Sequence, residues 1–135
     1  MNSRFWMAAA SYLVLTFIFA ASWHLALFKN IYTRLGAFTR PKPIIALGLL
    51  SMVLQALVVA YLYPRLVLAG SPLANGACFG FLLGVFMGSN AVLAEAGKNQ
   101  VGSLSTWIPL EGVYYLVQFT VVGIVIGMVY GGRAG

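Results

Sequence analysis

Four stretches of this chain run for about twenty residues or more with almost no charge, long enough for a helix to cross the roughly 30 Å hydrocarbon core of a bilayer. They cover about Phe5–Phe28, Ile44–Tyr63, Leu73–Glu95 and Pro109–Gly131. Unpaired backbone groups are too costly in lipid, so each stretch has to be helical. A soluble reading fails on charge. Only 7% of the 135 residues are charged and 61% are hydrophobic, with a mean hydropathy of +0.93, whereas a wetted globular chain carries about 25% charged residues. The predicted fold is all-α: one integral membrane domain, residues 1–135, forming a four-transmembrane-helix bundle. Short connections predict up-down topology with consecutive helices as antiparallel neighbours.

The span ends carry the expected punctuation. Lys29 closes the first, Pro64-Arg65 ends the second, Gly70-Ser71-Pro72 precedes the third, and Pro109 suits a first helical position in the fourth. The first stretch reads as a retained helix rather than a signal peptide, because its apolar run is too long and lacks an A-x-A end. Trp6, Trp23, Trp107, Tyr61, Tyr63 and Tyr130 fall near span ends, as interfacial anchors do.

Charge sets the orientation. Lys29, Arg34, Arg40 and Lys42 crowd the connection between the first two spans, and Lys98 joins them on the same side. Arg4, Arg65 and Arg133 lie on the other. The positive-inside tendency makes the crowded side cytoplasmic and both termini periplasmic. The net charge of +6 sits beside apolar spans, which points to anionic lipid headgroups on Lys29, Arg34, Arg40 and Lys42 rather than to nucleic acid.

Catalytic chemistry finds no foothold. There is no Asp, no P-loop, no nucleophile elbow, no His/Cys/Asp/Glu group at metal-ligand spacing, and Cys78 is the single cysteine. No catalytic residue, metal site or cofactor is therefore assigned, and the chain is not read as an enzyme.

Two patterns remain. In GACFGFLLGVFMG, Gly76, Gly80, Gly84 and Gly88 recur at four-residue spacing, and Gly123, Gly127 and Gly131 answer in the fourth span. Such a stripe lets a second backbone approach, either within the chain or from another copy; the alternative is a groove that holds a lipid tail or a flat ligand. The second pattern is polar. Connectivity puts His24, Glu95 and Glu111 on one membrane face, with Tyr115 and Gln118 following Glu111 at i+4 and i+7. A carboxylate three residues into the fourth helix suits that helix's free N–H groups; the alternative is a polar site of His24, Glu111, Tyr115 and Gln118. His24 reads as an interfacial imidazole, with pairing to Glu111 or tetrapyrrole ligation as alternatives. Gln55 and Asn90 read as interhelical hydrogen-bonding residues.

The stretch WHLALFKNIYTRLG, Trp23 to Gly36, resembles the end of the first helix in a family of small four-helix bacterial inner-membrane proteins of unknown function. Trp23, Lys29, Tyr32, Arg34, Leu35 and Gly36 follow that family's order, and the glycine-rich third span is also similar. The resemblance implies a location and a layout but no activity, and His24 departs from its pattern. The leading expectation is a non-catalytic accessory or structural subunit of a homo-oligomer or larger membrane complex. A transporter or channel subunit using the His24/Glu111 face, and a haem- or pigment-binding subunit using His24, are the alternatives.

Overall fold

A computed structural model describes residues 1–66 and 69–131; Arg133, counted above on the less basic side, lies outside them. The described residues form five helices: α1 (Ser3–Leu27), α2 (Lys29–Leu35), α3 (Ile45–Leu66), α4 (Pro72–Lys98) and α5 (Leu104–Tyr130). All but α2 are long and apolar enough to cross a membrane, so the chain is an all-α four-helix bundle of membrane-spanning length. Two helices change winding near the same face. Residues Ala21–Leu27 of α1 and Ser89–Ala94 of α4 are π-helical, and π turns are frequent at functional sites.

Three expectations need correcting. First, α5 starts at Leu104, with Trp107 N–H on Ser103 O at 2.9 Å, so Pro109 lies inside the helix rather than at its start. Glu111 then sits about two turns in, beyond reach of the free N–H groups of the first turn. Second, the Lys29–Pro43 connection is not all loop. Residues Lys29–Leu35 coil into α2, which ends where Gly36 takes φ 67°, and Tyr32 and Leu35 bury against Val92 and Trp107. Third, sequence neighbours are not all spatial neighbours. The central helix is α5, packed most extensively on α4 and also on α1; α1 in turn packs on α3, while α3 and α4 share no extensive contact.

The glycine stripe belongs to the α4–α5 seam. A Cβ on Gly76 would collide with Gly123 O, one on Gly80 with Phe119 O, and one on Gly84 would lie 2.9 Å from Tyr115 O. From the other side, Gly123 faces Gly76 O and Gly127 faces Pro72 O. The obstacles are main-chain atoms, which cannot swing aside. Gly88 and Gly131 differ: Gly88 meets only the Tyr115 side chain, at 3.3 Å, and a Cβ on Gly131 would meet nothing within 4 Å. The stripe is therefore an internal contact of this chain.

Polar side chains tie the other seams. Tyr12 donates to Gln55 Oε1 at 2.7 Å, Gln118 Nε2 to Thr16 Oγ1 at 3.3 Å, and Tyr130 to Ala60 O at 2.6 Å. Asn90 does not follow Gln55: it is exposed on the π turn of α4. The aromatic anchors also divide. Trp6 and Tyr61 are exposed, but Tyr63 is buried, and so is Trp107, whose indole N–H donates to Val92 O at 3.0 Å.

Gly80→Ala should cost at least about 2 kcal/mol of stability in detergent, the scale of forced overpacking. Gly48→Ala, whose Cβ would enter open space, should be neutral or slightly stabilising, by about 0.5–1 kcal/mol. Thermal unfolding of the two variants checks this, and equal midpoints would show that the seam does not depend on the glycines.

Candidate functional site

The π winding of α1 ends at Phe28, whose N–H reaches back to Trp23 O at 3.1 Å, and α2 begins at once. This turn brings Trp23, His24 and Tyr32 together over the side of α5. There His24 Nε2 lies 2.9 Å from Glu111 Oε1, Tyr32 donates its hydroxyl proton to the same oxygen, and Trp23 Nε1 donates to Tyr32 Oη at 3.0 Å. His24 Nδ1 lies 3.1 Å from Ala20 O. The ring of Tyr114 meets His24 edge-on at 4.5 Å, and Phe38 closes the side toward the basic connection at 6.0 Å.

The hydrogen-bond partners settle the proton positions on two atoms. A carbonyl can only accept, so the contact with Ala20 O puts a hydrogen on His24 Nδ1. Tyr32 is 1% exposed. Burial, and then the neighbouring Glu111 carboxylate, push its phenol far above the ordinary tyrosine range, so it stays a donor. One proton is left to place on the short line between His24 Nε2 and Glu111 Oε1. Held by the imidazole it makes an ion pair, and held by the carboxyl it makes a neutral pair. Both arrangements satisfy His24 Nε2 and Glu111 Oε1, and among the described residues no buried side-chain nitrogen or oxygen lacks a partner.

A cleft of about 390 Å³ opens beside this cluster, lined among others by Gly36, Thr39, Glu95, Trp107, Glu111 and Tyr115. Both acids of the chain thus border one space, but they differ in setting. Glu111 is 5% exposed, whereas Glu95 sits toward the surface with Lys98 Nζ at 2.8 Å and Asn99 Nδ2 at 2.7 Å.

The sequence-derived polar stripe does not stay together. Tyr115 lines the cleft but packs flat against Phe119 at 6.1 Å, and Gln118 turns to Thr16 in the middle of the bundle. Lys29, Arg34, Arg40 and Lys42 remain exposed, away from the carboxylate. Among the described residues no three His, Cys, Asp or Glu side chains converge as metal ligands would. Sequence reasoning missed Tyr32 and Trp23 as site members. Their signal was a tyrosine and a tryptophan flanking the single histidine in a stretch short enough to fold back on itself. Comparison with protein-family models, curated proteins and solved structures finds no match for this chain.

The geometry makes His24, Glu111 and Tyr32 one cooperative unit. Replacing His24 by Ala and Glu111 by Gln, singly and together, should give a coupling energy above about 1 kcal/mol, as expected for a buried hydrogen bond to a charged group. Tyr32→Phe should destabilise the wild type by about 1–3 kcal/mol and the Glu111→Gln variant by much less. Additive losses in chemical or thermal unfolding would dissolve the unit into independent contacts.

Proposed function

We propose that this chain is a non-catalytic integral protein of the bacterial inner membrane, acting as an accessory or structural subunit of a homo-oligomer or a larger membrane complex. The observation that carries this reading is the pairing of Glu111 between helices. A carboxylate held by His24 and Tyr32, with Trp23 behind, ties α1, α2 and α5 together and presents no nucleophile to a substrate. The resemblance of Trp23–Gly36 to the small four-helix family of unknown function supports the same location. The bases between the first two spans support a cytoplasmic basic face and periplasmic termini. The haem or pigment alternative is disfavoured because both ring nitrogens of His24 already have partners.

A second reading, a subunit for proton-linked transport, is favoured by one observation: the cleft reaches Glu111, whose proton can sit on either side of the His24 contact. The polar residues beyond it, Gln118 with Thr16 and Tyr12 with both Thr16 and Gln55, are bonded to one another across α5, α1 and α3.

Purification from native membranes in mild detergent should recover a stoichiometric companion, either further copies or another membrane protein, and the preparation should be colourless. A lone monomer from gentle extraction would overturn the subunit reading, and a visible absorption band lost in His24→Ala would revive the pigment one. Orientation has its own test. In a Cys78→Ser background, an impermeant thiol reagent applied to intact cells should label a cysteine replacing Ser71 and spare one replacing Thr39.

A further inference from the structure

The opposite face of the bundle holds a second, larger cavity of about 420 Å³, where the N-terminal ends of α1 and α4 meet the C-terminal ends of α3 and α5. Arg4 and Arg65 both line it, together with Tyr61, Tyr63, Tyr130 and Pro72. Each guanidinium is steered by a helix C-terminus: Arg4 Nη1 donates to Tyr130 O at 3.0 Å, and Arg65 Nη1 to Tyr61 O at 2.6 Å. Arg65 also stacks over the Tyr61 ring at 3.5 Å. These contacts orient the two side chains and involve one nitrogen of each, while a guanidinium carries five N–H groups in a fork matched to phosphate and carboxylate.

The charge at this cavity is not balanced by the protein's side chains. Glu95 and Glu111 are the chain's only acids, and both lie at the far membrane face, near the end of α4 and the start of α5. Helix ends do not supply the missing charge either. Two N-termini and two C-termini meet here, and their effective charges of roughly half a unit each cancel. About two positive charges remain in a tyrosine-walled recess at the depth where lipid headgroups lie. Leu66 and Leu73, next in sequence to the lining residues Arg65 and Pro72, are exposed.

We propose that this cavity is a binding site for a phosphate-bearing anion, held by the paired forks of Arg4 and Arg65. Exposed Leu66 and Leu73 beside the lining, at the ends of two helices of membrane-spanning length, favour the phosphodiester headgroup of an anionic phospholipid over a free phosphate ion. The site is distinct from the exposed bases Lys29, Arg34, Arg40 and Lys42 at the other face, none of which lines either cavity.

Native mass spectrometry of the full-length protein in detergent, with phosphatidylglycerol or phosphatidylcholine added, tests it. The wild type should retain one phosphatidylglycerol in preference to phosphatidylcholine. The double variant Arg4→Gln, Arg65→Gln should hold it at least about tenfold more weakly, while Arg34→Gln with Lys42→Gln should not change it. Thermal protection by inorganic phosphate without any by phosphatidylglycerol, abolished in the Arg4/Arg65 variant, would assign the same forks to the free ion and overturn the lipid preference. Equal retention of both lipids, or unchanged phosphatidylglycerol retention in the double variant, would overturn the site. A competition on the wild type needs no variant: inorganic phosphate should displace phosphatidylglycerol more than chloride at equal ionic strength, and equal displacement by both would also count against it.

Discussion

Everything in this bundle hangs on the backbone contact between α4 and α5. In lipid, apolar side chains gain little by turning from acyl tails toward one another, so helix association depends on close packing and on hydrogen bonds that lipid cannot supply. Glycines at 76, 80, 84, 123 and 127 let two main chains meet with carbonyls almost against α-carbons. That contact makes α5 the central helix, and only a helix held in place on one side can offer a fixed Glu111 to α1 and α2 on the other. The seam and the polar cluster are therefore successive consequences of one arrangement: small residues set the depth of α5, and the cluster sets how α1 closes over it.

The cluster explains why α1 changes its winding. A regular α-helix carried through to Leu27 would give residues 23 and 24 a different rotation about the axis from the one the π turn gives them. The turn aims His24 at Glu111 and brings Trp23 within reach of Tyr32. Leaving Glu111 unpartnered in an apolar setting would be costly, and His24 and Tyr32, the latter backed by Trp23, remove that cost by drawing the Trp23–Gly36 segment over α5. The price is paid in freedom of the Lys29–Gly36 segment, which is coiled and half-buried where a plain connection would have been simpler.

Much of this was legible in the sequence, for definite reasons. Span number follows from the length of apolar runs, since the bilayer imposes a length on any crossing helix. The shared face of His24, Glu95 and Glu111 follows from counting crossings. The glycine spacing indicated a groove but not its occupant, because four-residue periodicity is the same whether the neighbour is α5 or another chain. What stayed hidden depended on contacts between distant segments. Pro109 looked like a helix start because local propensity favours it there, yet the helix begins at Leu104. There Trp107 starts the backbone ladder and its indole binds Val92 O. Likewise the local sequence can mark Tyr32 as a neighbour of His24, but not as the residue that covers a carboxylate 79 positions away.

The two faces of the bundle end up with opposite solutions to the same problem of charge near lipid. At the α1–α2 face the buried charge is a carboxylate, and the protein supplies the imidazole and phenol that satisfy it, so the cluster is complete without any outside group. At the other face the charges are guanidiniums, and the chain has no acid left to offer them. The difference follows from number and placement: there are two acids against eight bases, and both acids lie at the α1–α2 face. Glu95 is engaged by Lys98 and Glu111 by His24, so neither acid side chain is placed to pair with Arg4 or Arg65 at the opposite end. The proposed anion site follows from that asymmetry: an outside anion at the recess would supply there what the imidazole and phenol supply at the other end.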